Sequence, residues 1–565
     1  MATQTESAAR LMAPSCAGSG VTANPAVPAF ARLLPSLTDL AFLMPIAFLF
    51  LKLSGARSLL ADGDTGWHLR TGEWILNHRQ VPWSDMFSFS RPGAPWFAWE
   101  WLWDATFALL FRRWGMTAVV LGSLLVICLT SLALFRLVRR KCDNGLVAIA
   151  VTLLATGGCA IHWLARPHLF TLLFFTLSLH IADRAAQGNT RLLAWLIPLT
   201  LVWTNLHGGF FVIFLVLACY VGGDLLNALI EGNPARRRTY LAATIPWLRT
   251  AGACLAVTFV NPYGWQLHRH VLAYIADPYL LRHIAEFQGL DFHSPAVGYF
   301  EPMIFAALAA SVWAIGQRRF ADALLALGWL HLALEAQRNL PLFAIAASPL
   351  VAAAAVALIR AAASAPLEER IGKLAAWFQR ASASMEQTDR IGRVHAVSAA
   401  GFLLVAVLLF APRPLDARFM SSFDPKTFPV RALPALAAPE THRIFASDTW
   451  GDYVIYQLYP AKQVFIDGRS DFYGSGFSEE YIRLLTGQEG WNRTLDRYGI
   501  DTIAVPPSYA LSSILKISRD WHVVYDDHDA IVFRRNALAP DSVASDGDRS
   551  GRDREIAKTN QQQGS

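Results

Sequence analysis

The sequence predicts a polytopic α-helical membrane protein with about eleven transmembrane helices, followed by a small C-terminal α/β domain. The first observation is composition: the 565 residues are 54% hydrophobic and only 16% charged, whereas soluble domains have roughly a quarter charged residues. The second is that long apolar runs alternate with short charged segments. The third is that the chain turns polar after about residue 413 and alternates between strand and helix patterns.

Runs of about 17–20 apolar residues are long enough to cross a bilayer. Such runs occur at 35–53, 116–137, 145–163, 168–184, 192–206, 210–229, 241–260, 302–317, 321–336, 341–360 and 394–412. The tail before them, 1–34, has no apolar core behind a basic n-region, so the first run is expected to stay as a signal anchor.

Basic residues between the runs predict the orientation. Every second gap is rich in Lys and Arg: RLVRRK (136–141), DRAAQGNTR (183–191), NPARRR (233–238), QRR (317–319) and 360–393. Short cytoplasmic loops carry such an excess. We therefore expect a cytoplasmic N-terminus. The Ala- and Arg-rich composition, without a disulfide framework, favours a bacterial inner membrane.

The same orientation divides the chain into domains. A membrane domain (35–412) carries long external loops at 54–115 and 261–301, and a periplasmic α/β domain occupies 413–539. The last residues, 540–565, are polar and charged, which is typical of a disordered tail.

The gaps expected outside are rich in polar groups that sit at helix ends. Any one of them can be explained as a helix cap or a snorkelling end. Together they predict one external cavity, because ionisable groups at membrane depth usually face a bundle interior or water. The candidate residues are Asp62, Asp64, His68, Arg70, Arg166, His168, Asn205, His207, Glu286, Asp291 and Arg338.

Asp62 and Asp64 form an Asp-x-Asp pair at the outer end of the first run. Two close carboxylates suit a divalent cation such as Mg²⁺ or Mn²⁺, and one of them suits a general base for an acceptor hydroxyl. A simple turn with Asp-Gly is the alternative. The scattered histidines His162, His168 and His207 are either metal ligands or hydrogen-bonded helix ends.

These segments resemble the GT-C superfamily of membrane glycosyltransferases over about residues 35–360. DTGWHLR (64–70) is similar to the start of the first external loop in oligosaccharyltransferase catalytic subunits. Protein mannosyltransferases and aminoarabinose transferases share the layout, and uncharacterised bacterial members are the most similar. The other matching segments are WTNLHGGF (203–210), ARPHLF (165–170), NPYGW (261–265), EFQGLDF (286–292) and RNLPLF (338–343).

The resemblance implies a GT-C-like fold and transfer of a sugar from a polyprenyl-phosphate-linked donor to a glycan, lipid or protein acceptor outside. It implies Asp64 or Asp62 as catalytic base, with Arg166 and Arg338 on the lipid-linked phosphate. No cofactor is certain, and a divalent cation would be held by Asp62 and Asp64. The chain departs from oligosaccharyltransferases in lacking a recognisable WWD-type acceptor motif, which puts peptide recognition in doubt.

Two other functions are compatible with the pattern. A transporter or flippase of envelope lipids or glycans would place charges near the midplane and contain repeats, and no clear repeat is seen. A non-catalytic envelope assembly protein would use its C-terminal domain to bind a partner. The net charge of +6 is spread over loops, so topology accounts for it and nucleic acid is not an expected partner.

In the C-terminal domain, Asp467, Arg469 and Asp471 follow a predicted strand. Open α/β sheets often bind ligands at that end of a strand. The favoured alternative is an Asp-Gly turn with a local ion pair.

Overall fold

The computed structural model describes residues 32–294, 297–364, 369–389 and 394–536. Most of the predicted N-terminal tail (1–34) and the whole of the predicted C-terminal tail (540–565) lie outside these ranges.

The first part of the chain is helical. Its helices are α1 (Leu37–Leu51), α2 (Thr65–His78), α3 (Trp101–Cys142), α4 (Gly145–Cys159), α5 (His168–Ala186), α6 (Leu196–Leu206), α7 (Val212–Ile230), α8 (Pro234–Thr258), α9 (Trp265–Ala276), α10 (Pro278–His283), α11 (Val297–Gly316), α12 (Phe320–Glu335), α13 (Leu340–Ser364), α14 (Glu369–Asp389) and α15 (Ala396–Leu409). Each of the eleven predicted runs overlaps one of these helices.

Six helical segments are long and apolar enough to cross a membrane, and two shorter apolar helices, α1 and α15, accompany them. The six are Trp101–Cys142, Gly145–His162, His168–Ala186, Gly208–Ile230, Val297–Gly316 and Gln337–Ser364. The remaining predicted runs are helical but shorter or more polar. A multi-pass membrane protein is therefore supported, while the count of eleven spans stays a prediction.

Helix α13 forms the centre of the helical part. Its residues are buried without a break from Leu340 to Ala353, and it packs on α3, α4, α11 and α12. Five of the fourteen residues in this stretch are alanine and one is serine, and small side chains let helix backbones approach closely. The buried start of α13 fixes the position of the preceding residue pair Arg338 and Asn339.

The C-terminal part forms an α/β layer (residues 433–535) around a mixed five-stranded sheet. Its elements are α16 (Leu433–Ala437), β1 (Arg443–Ala446), α17 (Asp448–Leu458), β2 (Gln463–Val464), α18 (Ser470–Leu485), α19 (Trp491–Tyr498), β3 (Thr502–Val505), α20 (Ala510–Ile517), β4 (Trp521–Asp526) and β5 (Ile531–Arg535). The strand order is β2-β1-β3-β5-β4, with β1 parallel to β2 and β3 and with β5 antiparallel to β3 and β4. The predicted small α/β architecture is confirmed.

The α/β layer lies directly on the 54–115 segment. Ser88 pairs with Val464 at the edge of the sheet, where Phe89 N donates to Val464 O at 3.0 Å and Val464 N donates to Phe87 O at 3.0 Å. Helix α17 packs on α2 so closely that a Cβ added to Gly66 would lie 2.7 Å from the Asp452 carbonyl oxygen. The 54–115 segment and the C-terminal layer therefore form one contact surface.

This packing corrects one expectation about tryptophan. The tryptophans of the 54–115 segment (WEWLW at 99–103 among them) predict from sequence that it lies flat on the membrane, with the rings facing lipid headgroups. Trp67 is instead buried, stacked on His68 at a ring-centroid distance of 3.6 Å and set edge-on to Trp96 at 6.1 Å. Sequence periodicity located the helix correctly, but the partner that covers it comes from almost 400 residues later in the chain.

Candidate active site

Arg166 joins three carboxylates that come from distant parts of the sequence. Its Nη2 lies 2.5 Å from Asp64 Oδ2, and its Nη1 lies 2.7 Å from Asp62 Oδ2 and 3.2 Å from Glu286 Oε1. Charge-assisted hydrogen bonds of this length are among the strong ones in proteins. Four of the predicted site residues are thus brought together, and we call Asp62, Asp64, Arg166 and Glu286, with Asp452 described below, the acidic cluster.

Local backbone contacts set up this arrangement. Asp62 Oδ1 accepts from the backbone N of Asp64 at 2.9 Å, which shapes the turn before α2. Thr65 Oγ1 donates to Ala165 O at 3.1 Å, and Ala165 N donates to Leu59 O at 2.7 Å. The residue before Arg166 is therefore tied to both sides of the Asp-x-Asp turn.

Asp452, at the start of α17, was missed by the sequence analysis. One ligand atom from each of Asp62, Asp64 and Asp452 lies within 4.8 Å of the other two. Asp452 is buried and its Oδ1 accepts from Gly468 N at 2.8 Å. The segment Trp450-Gly451-Asp452 gave no signal that would place it beside residue 64, because that contact depends on how the α/β layer docks.

Gly468 permits this close approach of two acids. A Cβ at this position would lie 2.2 Å from Asp64 Oδ1 and 2.8 Å from Asp452 Oδ2. Real Cβ contacts are never so short, so a side chain here would push the two carboxylates apart. The loop that follows β2 in the α/β layer therefore forms one wall of the acidic cluster.

Burial and charge shift the pKa values of the cluster in different directions. Burial raises the pKa of Asp64 to about 7, with the charge of Asp62 adding to it and Arg166 opposing it. Burial, followed by the charge of Asp64, raises the pKa of Asp452 well above its usual range. Burial alone would also raise the pKa of Glu286, but positive charge, above all from Arg166, outweighs it and lowers that pKa to about 2.

Behind the cluster lies a buried chain of acids and histidines. His68 Nδ1 is 2.6 Å from Asp104 Oδ1, and His68 Nε2 is 3.4 Å from Glu100 Oε2. The other oxygen of Glu100 is 3.4 Å from His207 Nε2, and His207 Nδ1 is 2.7 Å from Thr171 Oγ1. Burial raises the pKa of Glu100 to about 8. Glu100 and Asp104 were not among the predicted site residues.

The three candidate histidines do not converge as a metal site within the described residues. The rings of His162 and His168 are 5.8 Å apart, and those of His168 and His207 are 6.4 Å apart. His168 Nε2 is 2.7 Å from the carbonyl oxygen of His162, a typical hydrogen bond at a helix end. The geometry favours the helix-end interpretation of these histidines.

Arg338 faces the cluster from the start of α13. Its guanidinium lies over the Phe287 ring, 4.5 Å from the centroid, and its charge acts on neighbouring Glu286. In the part of the chain that the structure describes, Arg338 forms no ion pair. It is therefore a cation with hydrogen-bond donors left for a ligand.

Three predicted site residues lie away from the cluster. Arg70 Nε donates to Tyr456 O at 2.8 Å, in the contact between α2 and α17. Asn205 accepts from Trp101 Nε1 at 2.9 Å and donates to Val260 O at 3.0 Å, which ties three helices together. The side chain of Asp291 is 73% exposed and pairs with His293.

The strand-end residues of the α/β layer form structural ion pairs. Arg469 is buried, with Nη2 at 2.7 Å from Asp467 Oδ2 and 2.6 Å from Asp85 Oδ1, and it stacks over Trp96 at 4.5 Å. Asp471 lies 2.9 Å from His270 Nε2 on α9. The local ion pair favoured from the sequence is present, and it also fastens the layer to the 54–115 segment.

The residues at the predicted cation site fit a divalent metal in type and in their distances from one another. Carboxylate oxygens are suitable ligands, and Asp62, Asp64 and Asp452 are close enough to share an ion. However, Asp62 Oδ2 and Asp64 Oδ2 already accept hydrogen bonds from Arg166. A metal there would lie beside a permanent positive charge, so no step below is routed through one.

Solved structures with the same fold come from archaeal oligosaccharyltransferases. The apo oligosaccharyltransferase of Archaeoglobus fulgidus superposes with a TM-score of 0.50 at 12% identity, covering 83% of this chain and 69% of that one. AglB from A. fulgidus, in complex with an inhibitory peptide and a dolichol-phosphate, gives the same TM-score, identity and coverage. This chain has a GT-C-like fold.

At 12% identity the likeness establishes the GT-C-like fold and not an activity. No protein-family model and no curated protein matches the sequence. What this protein does must therefore be argued from its own site.

Proposed function

We propose that this protein is a membrane glycosyltransferase that moves a sugar from a polyprenyl-phosphate-linked donor to an acceptor on the periplasmic side. The observation that carries the proposal is the acidic cluster, in which Asp64 titrates near neutral pH. A general base works best with a pKa near the working pH. The GT-C-like fold supports the proposal, because AglB of that fold was solved with a dolichol-phosphate and a peptide.

The chemistry needs one base and one cation. An acceptor hydroxyl attacks the anomeric carbon, Asp64 takes the hydroxyl proton, and the bond between sugar and phosphate breaks. The phosphate leaves with the negative charge. We assign the stabilisation of that charge to Arg338, which has no carboxylate partner among the described residues. Guanidinium groups suit phosphate because they bind it through paired hydrogen bonds.

The side chains of Asp62 and Asp64 differ in their exposure to solvent. The side chain of Asp62 is 27% exposed and that of Asp64 is 10% exposed. Asp62 and Glu286 form the open edge of the cluster, where substrate arrives, and Asp64 lies beneath. The proposed base is therefore Asp64, with Asp62 orienting the acceptor.

The other polar groups have supporting roles in this proposal. His168 and His207 border the cluster from the ends of neighbouring helices, and His68 holds Glu100 and Asp104. Arg70, Asn205 and Asp291 are assigned no substrate contact, since their partners are elsewhere.

The test compares envelope glycans and polyprenyl-linked sugars by mass spectrometry. A strain lacking the protein is complemented with wild type, with Asp64→Asn, or with Asp291→Asn as the matched control. We expect Asp64→Asn to lose a glycan and accumulate its lipid-linked donor, while Asp291→Asn matches wild type. An unchanged profile in Asp64→Asn, at normal protein level, would favour transport or an assembly role instead.

A further inference from the structure

Arg166 lies where the Asp-x-Asp pattern predicted a divalent cation. Its two terminal nitrogens contact carboxylates of Asp62, Asp64 and Glu286. These acids come from the start of α2 and from the segment after α10, more than 200 residues apart in sequence. Gathering carboxylates from separate segments is what a bound hard cation does in many sites.

The guanidinium is held firmly in this position. Ala165, the residue before it, is bonded through N to Leu59 O and through O to Thr65 Oγ1. Arg166 N donates to Leu164 O at 2.8 Å, and Arg166 O accepts from Leu169 N at 3.3 Å. With its backbone tied on both sides and its side chain bonded to three acids, the positive charge is a built-in part of the cluster.

A divalent ion would have to compete with this charge. The carboxylates close enough to share an ion are those of Asp62, Asp64 and Asp452. Two of these three are hydrogen-bonded to Arg166 through Oδ2. An arginine side chain stays protonated at all physiological pH values, so binding a metal to those carboxylates places two cations side by side.

We infer that Arg166 is the resident cation of the acidic cluster and that the protein works without a divalent metal. Arg166 then acts as a positioning residue, which keeps Asp62, Asp64 and Glu286 together, and the donor phosphate is left to Arg338. The inference depends on the proposed function only in treating the cluster as an active site.

The experiment is a Mn²⁺ titration followed by electron paramagnetic resonance. Full-length protein in detergent is first dialysed against EDTA. We expect no stoichiometric Mn²⁺ in wild type and one equivalent in Arg166→Gln, because the carboxylates then lack their cation. The double variant Arg166→Gln/Asp62→Asn should again bind no stoichiometric Mn²⁺. Arg338→Gln is the matched control and should bind as little Mn²⁺ as wild type.

Two results would overturn the inference. One is a stoichiometric Mn²⁺ in wild type that Asp62→Asn removes. The other is an Arg166→Gln protein that melts cooperatively, as wild type does, yet takes up no Mn²⁺. If Arg166→Gln does not fold, the wild-type titration with Asp62→Asn decides alone. Neither donor nor acceptor is present, so the outcome is independent of whether the protein transfers sugar.

Discussion

Glu100 lies between His68 and His207. Its Oε2 is 3.4 Å from His68 Nε2, and its Oε1 is 3.4 Å from His207 Nε2. All three side chains are at least four-fifths shielded from solvent. A carboxyl group in this setting holds a proton that it would lose in water, because the charged form is poorly solvated there. This arrangement makes Glu100 one of the groups through which stability depends on pH.

Glu100→Gln should make the fall of stability between about pH 6.5 and 8 shallower than in wild type. Burial raises the pKa of Glu100 from 4.5 to about 8, so the folded state keeps a proton that the unfolded state has lost. Stability therefore falls as pH rises through this range. Below it, the lowered pKa values of His68 and His207, caused mainly by burial, give the opposite trend.

The measurement is the melting temperature in detergent at several pH values. Glu479→Gln is the matched control, since Glu479 is 49% exposed and pairs only with Arg483 in the described structure. If the melting temperatures of Glu100→Gln and wild type fall by the same amount from pH 6.5 to 8, Glu100 is ionised in the folded protein.

Gly468→Ala should impair the acidic cluster. The new methyl group would lie 2.2 Å from Asp64 Oδ1 and 2.8 Å from Asp452 Oδ2, and overpacking typically costs about 1–3 kcal/mol. We expect a lower melting temperature and sugar transfer reduced on the order of tenfold or more, as misplaced catalytic groups are costly. Gly476→Ala, in α18 with open space around it, is the control and should behave as wild type.

Arg469→Met should destabilise the contact between the α/β layer and the 54–115 segment. It leaves Asp467 and Asp85 buried without their partner, and breaking a buried ion pair in this way costs about 3–5 kcal/mol. Arg483→Met removes an exposed pair with Glu479 and should cost about 0–1 kcal/mol. Thermal melting of the two variants checks the difference, and equal melting temperatures would contradict the structural role.

Arg338→Gln should weaken donor binding while leaving the fold intact. Its guanidinium stacks on Phe287 and has no carboxylate partner in the described structure, so little stability depends on its charge. Hydrogen bonds to charged groups contribute roughly 1.5–3 kcal/mol, which predicts affinity for polyprenyl phosphate about 10- to 150-fold lower.

Arg269→Gln is the matched control for that variant, because Arg269 also stacks on an aromatic ring, that of Trp265 at 5.2 Å, but away from the cluster. The affinity of each variant for a polyprenyl phosphate, measured by calorimetry, distinguishes Arg338→Gln from Arg269→Gln. Wild-type affinity in Arg338→Gln would remove this arginine from the donor site.

Local patterns predicted the elements well, because apolar runs and strand-helix alternation reflect burial along a short stretch of chain. All the helices from α1 to α15 except α2, α9, α10 and α14 overlap the expected runs, and the strands β1 to β5 lie after residue 413, where the alternation of strand and helix patterns predicts them. The resemblance over 35–360 also led to the fold that the archaeal oligosaccharyltransferases share.

The site was predictable only where its residues fall near helix ends. Asp62, Asp64, Arg166 and Glu286 were selected because charges at such ends need an explanation, and the structure joins them. Asp452 and Glu100 escaped notice because each becomes significant through tertiary contacts with distant segments. The same selection included Asp291, whose exposed position no local pattern could reveal.

The pairing of Ser88 with Val464 bears on how the chain is assembled during synthesis. Residue 88 leaves the ribosome long before residue 464, so the 54–115 segment is in place as a template when β2 forms. A sheet edge left open invites pairing with other chains. Cut away from its membrane part, the α/β layer would carry a bare β2 edge and an Arg469 that has lost its Asp85 partner, and would tend to self-associate.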